Sequence, residues 1–343
     1  MTKRIEYIDA LRGFTMILVV TYHVFFKCSN FNPENFFFNS LLCEFRMPLF
    51  FFVSGFVFYK ASMTWNWATF KMFLKKKIAV QIITPTIFLF FWTLSINSSF
   101  FSCIAAPSKA GYWFTYVLFV YFLLYICIAK LSTLIHLPSK GQTILLLIIG
   151  FLLYFGSQKI FLDHKHLTGV LCLVQWIYFI FFVMGTLVRK HFEEFQVLLD
   201  SNWFIPLITS IFILLNFFCH TYAFKGYNDG ALLFVCRALG PIIVFAFFRR
   251  YEASFTQETK LGSTLQYIGR RTLDIYLIHY FLVPSNLDLS FLSTTSMPII
   301  ELVITFCIGI IIVGVCLLIS NIIRISPWVS QTFFGARIIS DKK

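Results

Sequence analysis

Apolar runs close to the length of a membrane-spanning helix recur along the whole chain. Hydrophobic residues make up 59% of the 343 residues and charged residues only 13%, whereas soluble domains have about 25% charged residues. A helix needs about 20 mainly apolar residues to cross a bilayer, and it satisfies its backbone polar groups internally. The sequence therefore predicts an all-α, polytopic membrane protein, folded as a transmembrane helical bundle.

Ten of these runs are assigned as spans, and the ninth is the weakest because Asp274, His279, Pro284 and Asp288 interrupt it. The connecting loops are short, so no appended soluble domain is expected and residues 1–343 are predicted to form one integral membrane domain. The predicted spans are 8–27, 40–59, 78–101, 113–131, 142–158, 169–188, 203–222, 231–248, 272–290 and 298–322.

The distribution of basic residues orients these ten spans. If the N-terminus is cytoplasmic, most of the 28 lysines and arginines fall on the cytoplasmic side, as the positive-inside rule requires. Both termini are therefore predicted to be cytoplasmic. The rule also explains the net charge of +13 by cytoplasmic loops rich in lysine and arginine beside the lipid bilayer, so nucleic acid is not expected as a partner.

The first span opens with an arginine and closes with a histidine in RGFTMILVVTYH, Arg12 to His23. Eleven positions are close to three helical turns, so both side chains lie on one face, about 16 Å apart along the axis. Ionisable groups within a span are costly and usually face the bundle interior or a wet cavity. Alternatively, Arg12 reaches the lipid headgroups and His23 is a hydrogen-bonded packing residue.

The second span carries two charged residues near its predicted outer end, at a depth comparable with His23. Glu44 and Arg46 either pair with each other or line a polar pocket for an acceptor. In the same span, Pro48 frees a backbone carbonyl, and Ser54 with Gly55 permits a close approach by another helix.

Two further groups have both a structural and a functional interpretation. Lys75, Lys76 and Lys77 stand where a cytoplasmic loop meets the third span. They are either a positive-inside anchor or point charges for the phosphates of a cytoplasmic cofactor. His279, in the ninth span, is either a satisfied polar residue between helices or a second histidine of the site. The nine cysteines show no metal-ligand spacing, and no metal is expected.

Taken in order, several segments resemble the acyltransferase-3 family of integral membrane acyltransferases. The first has the Asp-x-x-Arg-Gly start and the arginine and histidine separated by ten residues. The others follow in family order over nearly the whole chain. These segments are YIDALRGFTMILVVTYH (7–23), MPLFFFVSGF (47–56), YWFTYVLF (112–119), VQWIYFIFFVMG (174–185), IGRRTLDIYLIHY (268–280) and FFGAR (333–337).

The resemblance implies an O-acetyltransferase of the bacterial inner membrane. Such proteins move an acyl group, usually acetyl, from cytoplasmic acyl-CoA to a carbohydrate hydroxyl, for example in O-antigen, exopolysaccharide or a lipid-linked sugar. Acetyl-CoA is then a co-substrate and the carbohydrate is the acceptor. Arg12 and His23 match the family's functional arginine and histidine, and the sequence leaves the acceptor and the oligomeric state open.

The chain also departs from the family pattern at three points. The usual Arg-x-x-Arg element before the third span is replaced by KKKIAVQIITP, with Ile78 and Gln81 near the arginine positions. Arg46 stands where some relatives have a histidine before the MPLFFF segment. The fused esterase-like domain of some members is not expected here.

The sequence supports a specific hypothesis for the site. His23 acts as a general base on the acceptor hydroxyl, with Glu44, Arg46 and His279 near the acceptor. Arg12 and the lysines of 75–77 hold the acyl donor. Tyr22 or Arg46 are conceivable donors to the oxyanion, and direct transfer and an acyl-His23 intermediate both remain open. The competing functions are a transporter of a sugar or lipid-linked glycan and, less favoured, a membrane sensor or scaffold.

Overall fold

The computed structural model describes residues 5–28, 37–61, 65–160, 169–223, 230–284, 287 and 298–335. These residues form helices and no strands, so the predicted all-α class is confirmed. The α-helices are α1 Glu6–Cys28, α2 Phe37–Phe58, α3 Trp67–Ile78, α4 Thr84–Ser95, α5 Phe100–Ala105, α6 Trp113–Leu134, α7 Ser139–Ile160, α8 Phe179–Lys190, α9 Phe192–Leu199, α10 Phe204–Ala223, α11 Gly230–Arg250, α12 Lys260–Arg270, α13 Thr272–Leu282, α14 Pro298–Ile323 and α15 Pro327–Phe334.

Within the described residues, seven helices are long and apolar enough to cross a membrane, or eight if one bent pair is a single span. That pair is α9 with residues 204–218 of α10, bent by 82°. The predicted ninth span contains a helix of only eleven residues, α13, which ends at Leu282. An integral, multi-pass protein is therefore established, while ten spans and cytoplasmic termini stay predictions.

The third predicted span, 78–101, differs from the observed helix in its bounds. The helix begins at Trp67, because the side chain of Asn66 caps it by accepting a hydrogen bond from the backbone N–H of Thr69 (2.8 Å). It continues through a π-helical turn at Ala79–Ile83 into α4, which ends at Ser95. The sequence prediction placed the start too late because hydropathy alone does not detect the amphipathic turns of α3.

The chain divides into two compact units, and each of them combines two separate stretches of sequence. Unit 1 comprises Met1–Ser54 and His191–Ser320, and unit 2 comprises Gly55–Lys190 and Asn321–Lys343. That residues 1–343 form one integral membrane domain stays a prediction from the sequence.

In unit 1, α1 is largely buried and packs closely against α12. Both helices have glycine at the contact. A Cβ atom on Gly13 would lie 2.0 Å from the carbonyl oxygen of Leu265, and one on Gly269 would lie 1.8 Å from that of Asp9. Small residues let two helix backbones touch. This contact fixes α1 beside the segment that leads into α13.

In unit 2, the end of α2 packs against α8. A Cβ atom on Gly55 would lie 2.0 Å from the carbonyl oxygen of Phe182, so the close approach predicted at this glycine is confirmed. Around this contact, aromatic rings of α2, α6 and α8 pack together: the ring centroid of Phe58 lies 4.7 Å from that of Phe122 and 5.6 Å from that of Phe182.

Candidate active site

His23 of α1 and Tyr280 of α13 form a hydrogen-bonded pair in unit 1. The distance from His23 Nε2 to the Tyr280 hydroxyl oxygen is 3.0 Å. One turn further along α1, the Nζ of Lys27 donates to the backbone carbonyl of Tyr280 at 3.4 Å. The imidazole is therefore held in one orientation by a phenol that can donate or accept the hydrogen bond.

His279 lies beside this pair and is completely buried. Its ring centroid is 5.2 Å from that of His23. Its Nδ1 is 3.0 Å from the carbonyl oxygen of Ile275. Since a carbonyl only accepts, Nδ1 carries the proton and Nε2 of the neutral ring presents a lone pair. Among the described residues, that Nε2 has no hydrogen-bond partner.

Arg12 lies at the other end of this helix pair. Its Nη2 donates to Thr272 Oγ1 at 3.0 Å, and its Nη1 is 3.6 Å from Asp9 Oδ1. About a third of its side chain, 34%, remains exposed. The guanidinium is thus oriented by two partners and still accessible to a ligand.

The two contacts define how α1 and α13 run. Arg12 meets the first residue of α13, and His23, further along α1, meets Tyr280 eight residues later in α13. The two helices therefore run side by side in the same direction. Each residue of the predicted pair therefore has a hydrogen-bond partner in the GRRTLDIYLIHY segment, Thr272 for Arg12 and Tyr280 for His23.

The two charged residues of the second span have separate surroundings. The guanidinium of Arg46 lies over the ring of Tyr22, 2.9 Å from its centroid, and Tyr22 is the neighbour of His23. Glu44 forms an ion pair with Arg237 of α11, 2.6 Å between Oε2 and Nε. Arg46 is thereby brought to the edge of the histidine cluster, whereas Glu44 ties α2 to α11.

The predicted lysine cluster belongs to unit 2, on the last turn of α3. Lys75 and Lys76 are exposed. The Nζ of Lys77 lies 4.2 Å from the ring centroid of Phe122. Nearby, Gln81 is buried in the π-helical turn, and its Oε1 has no partner among the described residues.

Sequence reasoning missed several polar partners in the site. Tyr280 and Thr272 lie within the ninth-span segment quoted above, but a tyrosine or threonine in a span is usually interpreted as a packing residue. The same segment holds a buried network, in which Arg271 donates to Asp274 and to Ser320 of α14. The Ser320 hydroxyl also donates to Asp274. No group of metal ligands occurs in the described part of the chain.

These features define a class: an integral, multi-pass membrane protein with a histidine–tyrosine–histidine cluster and an oriented arginine inside an apolar helical unit. The family model for an acyltransferase domain matches residues 5–321. The chain therefore belongs to the acyltransferase-3 family and is a membrane acyltransferase. No curated protein and no solved structure is detectably similar to it.

Proposed function

We propose that this acyltransferase is an O-acetyltransferase of the bacterial inner membrane. It moves an acetyl group from acetyl-CoA to a hydroxyl of a cell-surface carbohydrate, such as O-antigen, exopolysaccharide or a lipid-linked sugar. The observation that supports this proposal best is the pairing of His23 with Tyr280 beside the buried lone pair of His279. Together these groups can accept, hold and return one proton.

In the proposed step, the oxygen of the acceptor hydroxyl attacks the thioester carbonyl carbon. A carbon–oxygen bond forms and the carbon–sulfur bond breaks, so the products are an acetyl ester and CoA. His23 takes the hydroxyl proton and returns it to the leaving thiolate. Histidine suits this role because a neutral imidazole accepts a proton at a ring nitrogen and can give the same proton back. Tyr280 orients the ring.

His279 is proposed to hold the acceptor. A buried acceptor atom without a partner costs about 1–3 kcal/mol. A hydroxyl that donates to Nε2 of His279 would remove that cost and would lie near His23, since the two ring centroids are 5.2 Å apart. Arg46, stacked on Tyr22, supplies positive charge at the edge of the same cluster.

Arg12 is proposed to bind the donor. The arm of acyl-CoA that leads to the thioester is long and thin, and about 16 Å separates Arg12 from His23 along α1. An arginine held by Thr272 and Asp9 at one end of that distance can bind polar groups of the arm while the thioester reaches His23.

We expect Arg12→Ala to raise the KM for acetyl-CoA by about tenfold with a smaller change in kcat, because a hydrogen bond to a charged group contributes about 1.5–3 kcal/mol. Initial rates measured against acetyl-CoA concentration test this. Arg270→Ala is the matched control, because Arg270 is a neighbouring exposed arginine. An unchanged KM in Arg12→Ala would remove Arg12 from donor binding.

The proposed function is tested with purified protein in lipid nanodiscs. Acetyl-CoA with a labelled acetyl group is supplied together with lipid-linked sugars and polysaccharide extracts, and the products are analysed by mass spectrometry. We expect an acetyl ester on a carbohydrate hydroxyl. Esterification of a non-carbohydrate would contradict the finer assignment, as would transfer that occurs only when a longer acyl-CoA replaces acetyl-CoA. Movement of sugar across the membrane of sealed proteoliposomes, without transfer, would favour a transporter.

A further inference from the structure

Two basic side chains lie against the aromatic rings around His23, in the last turns of α1. The guanidinium carbon of Arg46 is 2.9 Å from the ring centroid of Tyr22. The Nζ of Lys27 is 5.7 Å from the ring centroid of Tyr280. The rings of Tyr22 and Tyr280 lie in turn 5.4 Å and 4.8 Å from that of His23. Lys27 and Arg46, here called the basic pair, are therefore each one aromatic ring away from the proposed base.

The contacts of the basic pair orient both side chains without hiding them from solvent. Lys27 and Arg46 are partly exposed. Lys27 donates to the backbone carbonyl of Tyr280 at 3.4 Å, which takes one of the three N–H groups of an ammonium. At 2.9 Å from the centroid, only the flat face of the Arg46 guanidinium can meet the ring of Tyr22. The N–H donors of a guanidinium lie in its plane, so this contact fixes the group without occupying them.

The acidic residues of the three helices that form the cluster do not lie beside the basic pair. In α1 and α13 they are confined to the first turn: Glu6 and Asp9 in α1, and Asp274 in α13. The one acidic residue of α2, Glu44, is engaged by Arg237, with 2.6 Å between Oε2 and Nε, and this ion pair adds no net charge. Within α1, α2 and α13, the histidine end of the cluster is therefore positive.

Arg46 is also one of the points at which this chain departs from the family pattern, since some relatives have a histidine there. A histidine changes its charge near neutral pH, whereas an arginine is always charged. The reaction that the family shares therefore does not require a permanent charge at this position. A residue of this kind, next to the reacting groups, suits the recognition of a substrate that differs between members.

We propose that the acceptor is acidic: it carries an oxyanion, either a carboxylate or a phosphate, about one sugar ring away from the hydroxyl that is acetylated, and the basic pair binds this oxyanion. The inference rests on the proposed function and names the substrate class of the same site. The fork of N–H groups of Arg46 matches the paired oxygens of such a group, and Lys27 adds a point charge. The distance follows from the single ring between each cation and His23.

An oxyanion at this position also assists the proposed proton transfer. When His23 takes the proton of the acceptor hydroxyl, its ring becomes a third cation beside the basic pair. Like charges repel more strongly in the low dielectric of a helical bundle than in water. An acidic acceptor brings a compensating negative charge into the site, and a neutral acceptor does not. The charge of the acceptor should therefore affect kcat as well as KM.

The test compares the same acceptors with and without their charge. Surface oligosaccharides, stripped of existing acetyl esters, are supplied with acetyl-CoA before and after chemical reduction of their carboxylates to alcohols. Lipid-linked sugars are supplied with and without their phosphate groups. Initial rates are measured with the purified full chain in nanodiscs of phosphatidylcholine. The variants are Arg46→Gln, Arg46→Lys and Lys27→Gln, and the matched control is Lys260→Gln, which removes an exposed lysine of α12.

We expect wild type to use a charged acceptor with a kcat/KM about tenfold or more above that of its uncharged form, because hydrogen bonds between charged groups are strong. Arg46→Gln should lower kcat/KM about tenfold for the charged form and less than about twofold for the uncharged form. Arg46→Lys should restore part of the difference, and Lys27→Gln should show a smaller effect of the same kind. Lys260→Gln keeps wild-type kinetics with both forms.

The treatment that lowers the rate identifies the oxyanion. A loss on carboxyl reduction indicates an acidic sugar, and a loss on removal of phosphate indicates a lipid-linked sugar phosphate. Equal kcat/KM for both forms of every acceptor would overturn the inference and leave the proposed function standing. A loss in Arg46→Gln that is equal for both forms would show a structural role and would also overturn it. Acetyl transfer to no carbohydrate would instead overturn the proposed function itself.

Discussion

Replacing His23 by alanine is expected to lower the rate of acetyl transfer by about 10²–10⁴-fold, the usual contribution of a general base. The protein should still fold, because the hydrogen bond that is lost joins only two side chains, His23 and Tyr280. The measurement is single-turnover transfer with saturating acetyl-CoA, combined with thermal unfolding of the same preparation. Equal rates in wild type and His23→Ala would exclude this histidine as the base.

Two matched variants separate the roles within the cluster. His279→Ala should mainly raise the KM for the acceptor, by roughly 2–10-fold, since one neutral hydrogen bond contributes about 0.5–1.5 kcal/mol. Tyr280→Phe should lower kcat less than His23→Ala does, because the ring loses its orientation but not its base. If His279→Ala instead lowers kcat more than His23→Ala, the two histidines exchange roles.

The second large effect concerns stability. Gly13→Ala is expected to destabilise the protein by about 1–3 kcal/mol, the usual cost of overpacking. The new methyl group would lie 2.0 Å from the carbonyl oxygen of Leu265, a backbone atom that cannot rotate away. α1 and α12 must then separate, which also moves Arg12. Thermal unfolding in nanodiscs and the KM for acetyl-CoA report the two consequences.

Gly314→Ala is the matched control for this prediction. Gly314 lies in the interior of α14, and nothing is within 4 Å of a Cβ atom placed on it. Alanine favours a helix over glycine by about 1 kcal/mol, so this variant should be at least as stable as wild type. Equal unfolding temperatures for Gly13→Ala and Gly314→Ala would show that the close helix contact at Gly13 is not a constraint.

Much of the fold could be predicted because a bilayer imposes strong rules on sequence. Long apolar runs require helices, and the observed class follows from that requirement. The close contact between two helices at Gly55 could also be predicted, since only small residues allow two backbones to touch. Two features could not be predicted: the π-helical turn at Ala79–Ile83 and the early start of the third helix. Both depend on capping and local hydrogen bonds, which hydropathy does not describe.

The candidate site was predictable only in its most unusual members. Arg12 and His23 could be predicted as site residues because ionisable groups in a span are costly. Their partners Thr272 and Tyr280 are about 260 residues away in sequence, and neither residue type is unusual in a helix. The same holds for the pairing of Glu44 with Arg237. Long-range packing decides such pairs, and no local pattern encodes them.

The positions of the prolines and of the π-helical turn have a consequence for which helices can bend during the reaction. The third span contains a π-helical turn, α2 contains Pro48 and α11 contains Pro241; such positions are where helices bend. Neither α1 nor α13 contains a proline. Bending should therefore occur mainly in these interrupted helices. α1 should stay straight, so that the distance between Arg12 and His23 stays constant throughout the reaction cycle.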